Sequence, residues 1–259
     1  VSLAVLSSVL PLVAQTATAP PLGVVRQFGV LGGAGVTGST GTGTAVNGDV
    51  GSSSTTYVIN FPPSTALAPF VVHFANDATV QQAHLDAITA YNNRVAQGPG
   101  TVHGAQLSGV MLTPGLYSFT SAADLAANGV LTLNDPTGTG IFVFNVPTAL
   151  TANVGSSVTG TANPCNVYWR VGTSAVLNGN NFFGSVLADQ SVTVASADNV
   201  AGRIVGINGA VTIPGAGGNT IGGSSGFGAN QDGEKGGEFA GERQAIGRAA
   251  AQAVGDDSL

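Results

Sequence analysis

The motifs in this sequence that could carry chemistry lack the elements that such chemistry requires. Residues 33–38 match the GxGxxG pattern of dinucleotide-binding loops, but further Ser, Thr and Gly follow where a helix should begin. Residues 222–226 match the GxSxG pattern of hydrolase nucleophiles, yet they lie in a Gly/Ser-rich stretch without the strand and helix that expose a serine. His73, His84 and His103 have no metal-ligand spacing, and His84 falls on the apolar side of a predicted helix, where a structural histidine is typical. We therefore predict no nucleotide, nucleophile or metal site.

The carboxylates and the single cysteine give no clear catalytic arrangement either. Asp49, Asp135, Asp189 and Asp198 lie in or beside turns, where Asp commonly accepts backbone hydrogen bonds. A hydrolase with paired carboxylates, as some β-helices are, stays open as an alternative, although no specific spacing supports it. Cys165 is the only cysteine, which excludes an intramolecular disulfide and a CxxC motif. The sequence thus favours a protein that is not an enzyme.

Charge is sparse and unevenly distributed along the chain. The 259 residues include seven Lys plus Arg and 13 Asp plus Glu, a net charge of −6, so that only 8% of residues are charged. An ordinary soluble domain carries about 25%. Nine of the charged residues fall within 232–257, which leaves the rest of the chain poorer still. No basic stripe exists to bind phosphates, so nucleic acid is not an expected partner.

Three regions are predicted along the chain. Residues 1–19 combine an apolar run with small residues, which indicates the remnant of a secretory signal peptide, because the run is shorter than the ~20 residues of a membrane-spanning helix. Residues 22–221 are predicted to form one domain, with a single helix at about 77–97. Residues 222–259 are predicted to be a flexible charged tail. We therefore expect a secreted, extracellular protein.

A repeat of about 18 residues predicts the fold of the domain. An apolar strand recurs at 141–144, 167–171, 185–188 and 203–206, and each is followed by a strand of more alternating character. Short repeats of this kind are typical of a solenoid, in which every coil buries its inward residues against its neighbours. The apolar strands need cover on both faces, and the apolar side of the helix can supply it. We predict an all-β solenoid with one long helix alongside.

The alternating strands predict one flat, uncharged surface. Aligning 148–152, 174–178, 191–195 and 210–214 points aliphatic residues inward and a mostly small, uncharged set outward. With one neighbouring strand added, the predicted outward set is Ser118, Thr120, Thr148, Leu150, Ser174, Val176, Ser191, Thr193, Ala210 and Thr212. Coils stack about 4.8 Å apart and alternate side chains recur about every 6.6 Å, so this set forms a rigid grid of methyl and hydroxyl groups that can order water. A plain solvated sheet is the alternative, because Thr and Ser are common on exposed strands.

A series of sequence segments adds a resemblance to these inferences. The segments are residues 28–33, 47–51, 61–65, 90–92, 112–119, 141–144, 165–172 and 202–213. In this order they resemble the microbial ice-binding (antifreeze) protein family. The resemblance implies a right-handed, three-faced irregular β-solenoid with a long helix parallel to its axis, in which the order of coils in space need not follow the chain. It also implies a protein that adsorbs to ice through one flat face and inhibits ice growth and recrystallisation, without a cofactor.

The sequence departs from this family on the face itself. Regular members repeat a Thr-Ala/Gly-x-Thr/Asn pattern, whereas here only residues 148–151 fit it well. A secreted adhesin or carbohydrate-binding solenoid is the alternative function, but it would expose aromatic residues, and Trp169 and the four tyrosines are predicted to lie in core strands and the helix. We expect the surface of an ice crystal as the partner, with no nucleic acid and no small-molecule substrate, and a monomeric protein.

Overall fold

Three parallel β-sheets form the walls of the molecule in the computed structural model, which describes residues 16–54, 57–195, 198–214 and 218–222. Sheet A contains, in spatial order, β7 (Val72–His73), β4 (Asp49–Ser52), β1 (Phe28–Gly32), β22 (Ile204–Gly206), β19 (Ser185–Ala188), β16 (Val167–Val171), β13 (Phe142–Val146), β10 (Gly115–Phe119) and β8 (Thr101–His103). Sheet B contains β11 (Ala123–Leu125), β14 (Leu150–Ala152), β17 (Ala175–Leu177), β20 (Val192–Val194), β23 (Ala210–Thr212), β2 (Gly35–Thr37) and β5 (Val58–Ile59). Sheet C contains β6 (Thr65–Ala66), β3 (Thr44–Val46), β24 (Asn219–Ile221), β21 (Asn199–Ala201), β18 (Asn181–Phe183), β15 (Ser157–Gly160), β12 (Val130–Leu133) and β9 (Met111–Leu112).

The coils of this solenoid do not stack in chain order. From β1 the chain passes through β4 to β7 at one edge of Sheet A, and after the helix it re-enters at β8 on the opposite edge. The later coils then return along the stack until β22 pairs in parallel with β1. The solenoid predicted from the repeat is confirmed, and so is the expectation that spatial order and chain order differ.

One α-helix, α1 (Ala78–Ala96), connects the two ends of the stack. It begins after Asp77, whose carboxylate accepts a hydrogen bond from the backbone N–H of Thr79 at 2.8 Å, and it is followed by Gly98 with a φ of 87°. A helix of this length extends about 28 Å, enough to run along most of the stacked coils. Because it leaves Sheet A at one edge and returns at the other, it lies along the solenoid axis, as predicted.

Two apolar cores lie on the two sides of Sheet A. Inside the solenoid, the fully buried rings of Phe144 and Trp169 stack with their centroids 3.8 Å apart. On the outer side, Val143 and Tyr168 pack with Ala87 of α1 in a second buried cluster. The apolar strands of Sheet A are therefore covered on both faces, which is why they lack the polar alternation of the other sheets.

A tight corner beneath the core tryptophan requires glycine. Gly184, between β18 and β19, has a φ of 118°, and a Cβ atom there would stand 2.9 Å from the Trp169 ring nitrogen. That nitrogen donates a hydrogen bond to the carbonyl of Phe183 at 2.9 Å. Only a residue without a side chain lets the chain turn here while the indole N–H keeps its acceptor.

The described chain begins on the surface of the helix. Ala17 is buried against α1, and the backbone N–H and carbonyl of Thr18 bond the Gln97 side-chain amide at 2.9 and 2.7 Å. Ala17 and Thr18, which belong to the predicted signal-peptide segment 1–19, therefore contact the helix and the residue that follows it. The other residues of the predicted signal peptide (1–15) and all but the first of the predicted tail (222–259) lie outside the described residues. No helix in the described part of the chain is long and apolar enough to cross a membrane.

Two 3-10 helices complete the described elements. One covers Gly23–Gln27, immediately before β1, and packs against α1. The other covers Pro164–Asn166, where the Asn163 side chain accepts a hydrogen bond from the backbone N–H of Cys165. Both lead the chain into a strand of Sheet A.

Candidate functional site

The outer surface of Sheet B carries two columns of residues that run across the coils. One column lies at the strand starts and the other at the strand centres, and together they are called the B face. The central column, in spatial order, is Asp124, Thr151, Val176, Thr193, Thr212, Thr37 and Ile59. The other column includes Ala149, Ser174, Ser191 and Ala210 and ends at Gly35 and Tyr57.

The alternating inward residues hold the B face in register. Leu150, Ala175, Val192 and Val211 are buried at the inner surface of Sheet B, and each pairs with the corresponding residue of the next strand. Side chains of a strand alternate between the two surfaces of a sheet, so burying these residues fixes which neighbours point outward. The seven strands span about 29 Å along the stack at a spacing of about 4.8 Å.

Methyl and hydroxyl groups alternate irregularly over this surface. Thr151, Thr193 and Thr212 each present one of each group, while Val176 is 41% exposed and Ile59 37% exposed. Hydroxyl groups donate hydrogen bonds to water and accept them from it, whereas methyl groups contact water without hydrogen bonding. The face therefore combines direct water contacts with apolar contacts at fixed spacing.

Hydrogen bonding between neighbouring coils adds local order at the strand starts. The hydroxyls of Ser174 and Ser191 lie 2.9 Å apart. This bond joins adjacent coils across the first column and restrains both side chains, because each hydroxyl then has a preferred rotamer. The grid is thus stiffened at its side chains as well as at its backbone.

A single charged residue occurs among the strands of Sheet B. Asp124 lies on the edge strand β11, where its two carboxylate oxygens accept hydrogen bonds from the side-chain amides of Gln106 at 3.0 Å and Asn153 at 2.9 Å. The charge is therefore at the end of the face and is bound to neighbouring amides. From β14 to β5 the strands of the sheet are uncharged.

The structure corrects four of the predicted outward residues. Leu150 is fully buried, because the alignment placed this strand one residue out of register, and Thr151 occupies the outward position instead. Thr148 and Thr120 are exposed in corners that precede the strands of Sheet B and belong to neither column. Ser118 is buried in Sheet A, where its hydroxyl donates to the carbonyl of Pro99.

The remaining predicted residues lie on the outer surface of Sheet B, and the sequence reasoning missed some of their neighbours. Ser174, Val176, Ser191, Thr193, Ala210 and Thr212 belong to the two columns. The missed members include Thr37 and Ile59, which come from coils near the start of the chain and join the face through the pairing of β2 with β23. Thr151 could have been found from hydropathy, since Leu150 is the better core residue of the two.

The tryptophan and three of the four tyrosines are buried. Trp169 is fully buried, and Tyr91, Tyr117 and Tyr168 are each at most 8% exposed, as expected from the sequence. Tyr57 is 56% exposed at the edge of Sheet B, which corrects the expectation that all four tyrosines lie in core strands or the helix. It stands before the two-residue strand β5, where little of the sheet remains to cover it.

The carboxylates proposed for an alternative hydrolase serve separate structural roles. Asp135 accepts hydrogen bonds from Thr137 and from the backbone N–H of Gly140, and these bonds lower its pKa. Asp198 is fully buried, and burial raises its pKa. Asp189 accepts hydrogen bonds from its amide neighbours at the corner after β19. In the described ranges, no three or more His, Cys, Asp and Glu side chains are grouped so that they could hold a metal ion.

A cluster of His73 and two carboxylates joins Sheet A to the residue before the helix. The two ring nitrogens of His73 lie 3.3 Å from the carboxylate of Asp49 and 2.5 Å from that of Asp77. Burial alone would lower the pKa of His73, but the hydrogen bonds and charges of the two carboxylates outweigh it and raise the pKa. For Asp77 burial would raise the pKa, and the bonds from His73 and Thr79 lower it instead. The cluster ties β4, β7 and the start of α1 together.

The chain is similar to known proteins over most of its length. Residues 30–219 match the family model described as ice-binding-like. The chain belongs to the ice-binding-like family. An ice-binding protein of Nostoc sp. (strain HG1) is 38% identical to it over 207 residues, which cover 77% of this chain and 74% of the relative.

Solved structures agree with this membership of the ice-binding-like family. An ice-binding protein from an Antarctic biological consortium superimposes with a TM-score of 0.73 at 35% identity, covering 83% of this chain and 96% of that one. One from the ascomycete Antarctomyces psychrotrophicus gives a TM-score of 0.71 at 29% identity, covering 81% and 100%. The residues that match the family model include all the described strands of Sheet B, so the B face lies within the family domain.

Proposed function

We propose that this protein binds ice through the B face and thereby inhibits ice growth and recrystallisation. The observation that carries the proposal is the central column, in which side chains from seven stacked strands stand in register and only the terminal one is charged. Membership of the ice-binding-like family supports the same function. Binding requires no covalent step, so we propose a protein without enzymatic activity.

The chemistry of the face suits a partner made of ordered water. Ice presents uncharged hydrogen-bonding groups at fixed positions, and a rigid surface can match them without losing conformational freedom on binding. Threonine hydroxyls can hydrogen-bond individual water molecules, and the methyl groups favour the release or ordering of adjacent water. A charged group is strongly hydrated, and removing its hydration shell on contact with an uncharged crystal would cost free energy. The scarcity of charge from β14 to β5 removes that cost.

Adsorption explains how growth is inhibited. Protein molecules fixed on the surface force the ice front to advance between them as a curved surface, and curvature makes further freezing less favourable. The effect needs scattered molecules that stay bound, with no partner subunit, so we propose that a monomer is sufficient. It also needs contact with external ice, and we propose that the apolar segment before Thr16 directs export.

The direct test is incorporation into ice. The protein, labelled with a fluorophore through its amines, is added to water around a slowly growing single-crystal hemisphere, and we expect it to concentrate in the ice. Recrystallisation of a frozen sucrose solution, followed by microscopy, should slow in the same concentration range. A labelled protein of similar size without ice affinity provides the control.

The alternative function gives a different result in the same experiment. A carbohydrate-binding solenoid would bind glycans on an array and would be excluded from the growing hemisphere at the level of the control protein. Exclusion from ice would refute the proposal regardless of the glycan result.

A further inference from the structure

We infer that the chain is cleaved between Ala14 and Gln15 during export, so that the residues after this bond stay on the mature protein and fasten its helix. The inference rests on the export that we propose for this protein. It places the processing site earlier than the sequence pattern does. Two observations on the described residues carry it: the burial of the segment that begins at Thr16, and the hydrogen bonds that join this segment to the helix.

Two positions after the apolar run have the small residues that a signal peptidase requires. Ala17 and Ala19 have the spacing Ala-x-Ala, which predicts cleavage after Ala19 and agrees with a signal peptide of residues 1–19. Ala14 is the first small residue after the run, which ends at Val13, and it predicts cleavage five residues earlier. The sequence pattern alone favours the later position.

The residues before the later position belong to the packed domain. Ala17 is 7% exposed and lies in the cluster between α1 and Sheet A. The backbone N–H of Thr18 donates to the side-chain oxygen of Gln97 at 2.9 Å, and the Thr18 carbonyl accepts from the side-chain nitrogen of Gln97 at 2.7 Å. Cleavage after Ala19 would remove both residues and would take these partners from Gln97.

The segment continues along the helix in the opposite direction to α1. The backbone N–H of Val24 donates to the Asp86 carboxylate at 2.7 Å, and Val25 is fully buried in the same cluster as Ala17. The eleven residue steps from Asp86 to the end of the helix at Thr18 correspond to about 16 Å. The six steps from Thr18 to Val24 span about 20 Å in an extended chain. The segment is therefore nearly extended beside the helix and is held at both ends.

These contacts leave one position for the cleavage. Cleavage after Thr16 would place a charged α-amino group beside the buried Ala17, and any later cleavage would remove Ala17 itself. Cleavage within the apolar run would leave apolar residues at the new terminus. Between the run and Thr16, Ala14 is the one small residue. Hydrolysis of the bond after it consumes one water molecule and gives the Ala14 carboxylate and the Gln15 α-amino group, next to the exposed Thr16.

Mass spectrometry of the exported protein tests the inference. Residues 1–259 are expressed in a bacterial host behind an initiating Met-Lys-Lys, which supplies the positive charge that signal peptides carry. Ala14→Tyr places a large residue at the proposed site, and Ala19→Tyr makes the same change at the alternative site as the matched control. The intact mass and the mass of the N-terminal peptide are measured for the periplasmic protein and for the protein that stays in the cell.

We expect the wild-type and Ala19→Tyr proteins to begin at Gln15, and Ala14→Tyr to accumulate with its signal peptide attached. A mature wild-type protein that begins at Pro20, or at any residue other than Gln15, would overturn the inference and leave the proposed export intact. Unchanged processing of Ala14→Tyr would also overturn it. Wild-type protein that stays in the cell uncleaved would refute both the export and the inference. Ice binding by the recovered protein is measured separately on a hemisphere, so failure of the proposed function gives a distinct result.

A shortened chain tests whether the retained segment fastens the helix. A chain that begins at Pro20 lacks Ala17 and the Thr18 hydrogen bonds, whereas a chain that begins at Gln15 keeps them. The midpoint of thermal unfolding should be about 5 °C lower for the shorter chain, the shift expected when two hydrogen bonds and one buried methyl group are lost from a domain of this size. Gln97→Ala in the longer chain should reproduce most of this loss. Equal midpoints for the two chains would show that the segment does not fasten the helix.

Discussion

Replacing Thr193 with lysine tests whether the B face acts as one continuous surface. Thr193 lies on β20, the fourth of the seven strands of Sheet B, with three strands on either side. The lysine side chain is longer than threonine and ends in a compact, strongly hydrated ammonium group. A flat crystal surface cannot lie against both halves of the sheet while this group stands between them. Contact is therefore restricted to at most three strands of the seven.

The expected magnitude follows from this geometry. If adsorption scales with the strands in contact, thermal hysteresis at a fixed protein concentration should fall to less than half of the wild-type value. Thr37→Lys makes the same chemical change on β2, which leaves five neighbouring strands uninterrupted on one side. Thr37→Lys should therefore lose less thermal hysteresis than Thr193→Lys. Both changes are at surface positions, so the free energy of unfolding should change by only about 0.5 kcal/mol.

The assay is thermal hysteresis measured on single ice crystals with a nanolitre osmometer. The Thr89→Lys variant of the helix controls for the added charge, because it replaces the same residue type far from the B face. Wild-type hysteresis in the Thr193→Lys variant would refute the assigned face. An equal loss in the Thr37→Lys and Thr193→Lys variants would refute the argument that contact area along the stack sets the activity.

Two further predictions concern the stability of the solenoid. Leu150→Ala should lower the free energy of unfolding by about 2–5 kcal/mol, because it leaves a cavity in the interior. Thr151→Ala should change the free energy of unfolding by only about 0.5 kcal/mol. Denaturant unfolding of both variants measures these changes, and similar losses in the two variants would contradict the register of β14. The His73 cluster should make stability depend on pH. Because the folded-state pKa of His73 is raised above its ordinary value of 6.5, the contribution of His73 to stability is present below pH 6.5 and is lost as the pH rises through the folded-state pKa. Because the pKa of Asp77 is lowered below its ordinary value of 3.8, the contribution of Asp77 to stability is present above pH 3.8 and is lost on acidification through the folded-state pKa. On raising the pH from 6.5, the midpoint of thermal unfolding should therefore fall in the wild type and change less in His73→Gln. Parallel curves for the two proteins above that pH would show that the His73 cluster contributes nothing.

Much of the fold could be predicted because its signals are local in the sequence. The apolar strands of Sheet A recur at a short repeat, and the helix has an apolar side, a capping Asp77 and a terminating Gly98. The scarcity of charge follows directly from composition. Each of these features depends on neighbouring residues or on simple counts, so it can be recognised from the amino-acid sequence.

The exact faces of the strands were decided by tertiary packing. Residues 148–152 fit either of two registers, and burial of Leu150 in the interior selected the one that points Thr151 outward. A shift of one residue exchanges the two surfaces of a strand, so a local pattern with small residues on both sides leaves the choice open. Sheet C illustrates the same limit, because its strands of two to four residues are too short to give a clear alternation.

The sequence by itself determined that this chain is a charge-poor solenoid with a covering helix, since periodicity and composition are properties of consecutive residues. Only the tertiary structure decided which coils are neighbours. Thr37 and Thr212 stand side by side on the B face although most of the domain separates them along the chain. That pairing forms because β1 and β22 complete the same stack, and long-range pairing of this kind has no counterpart in the local sequence pattern.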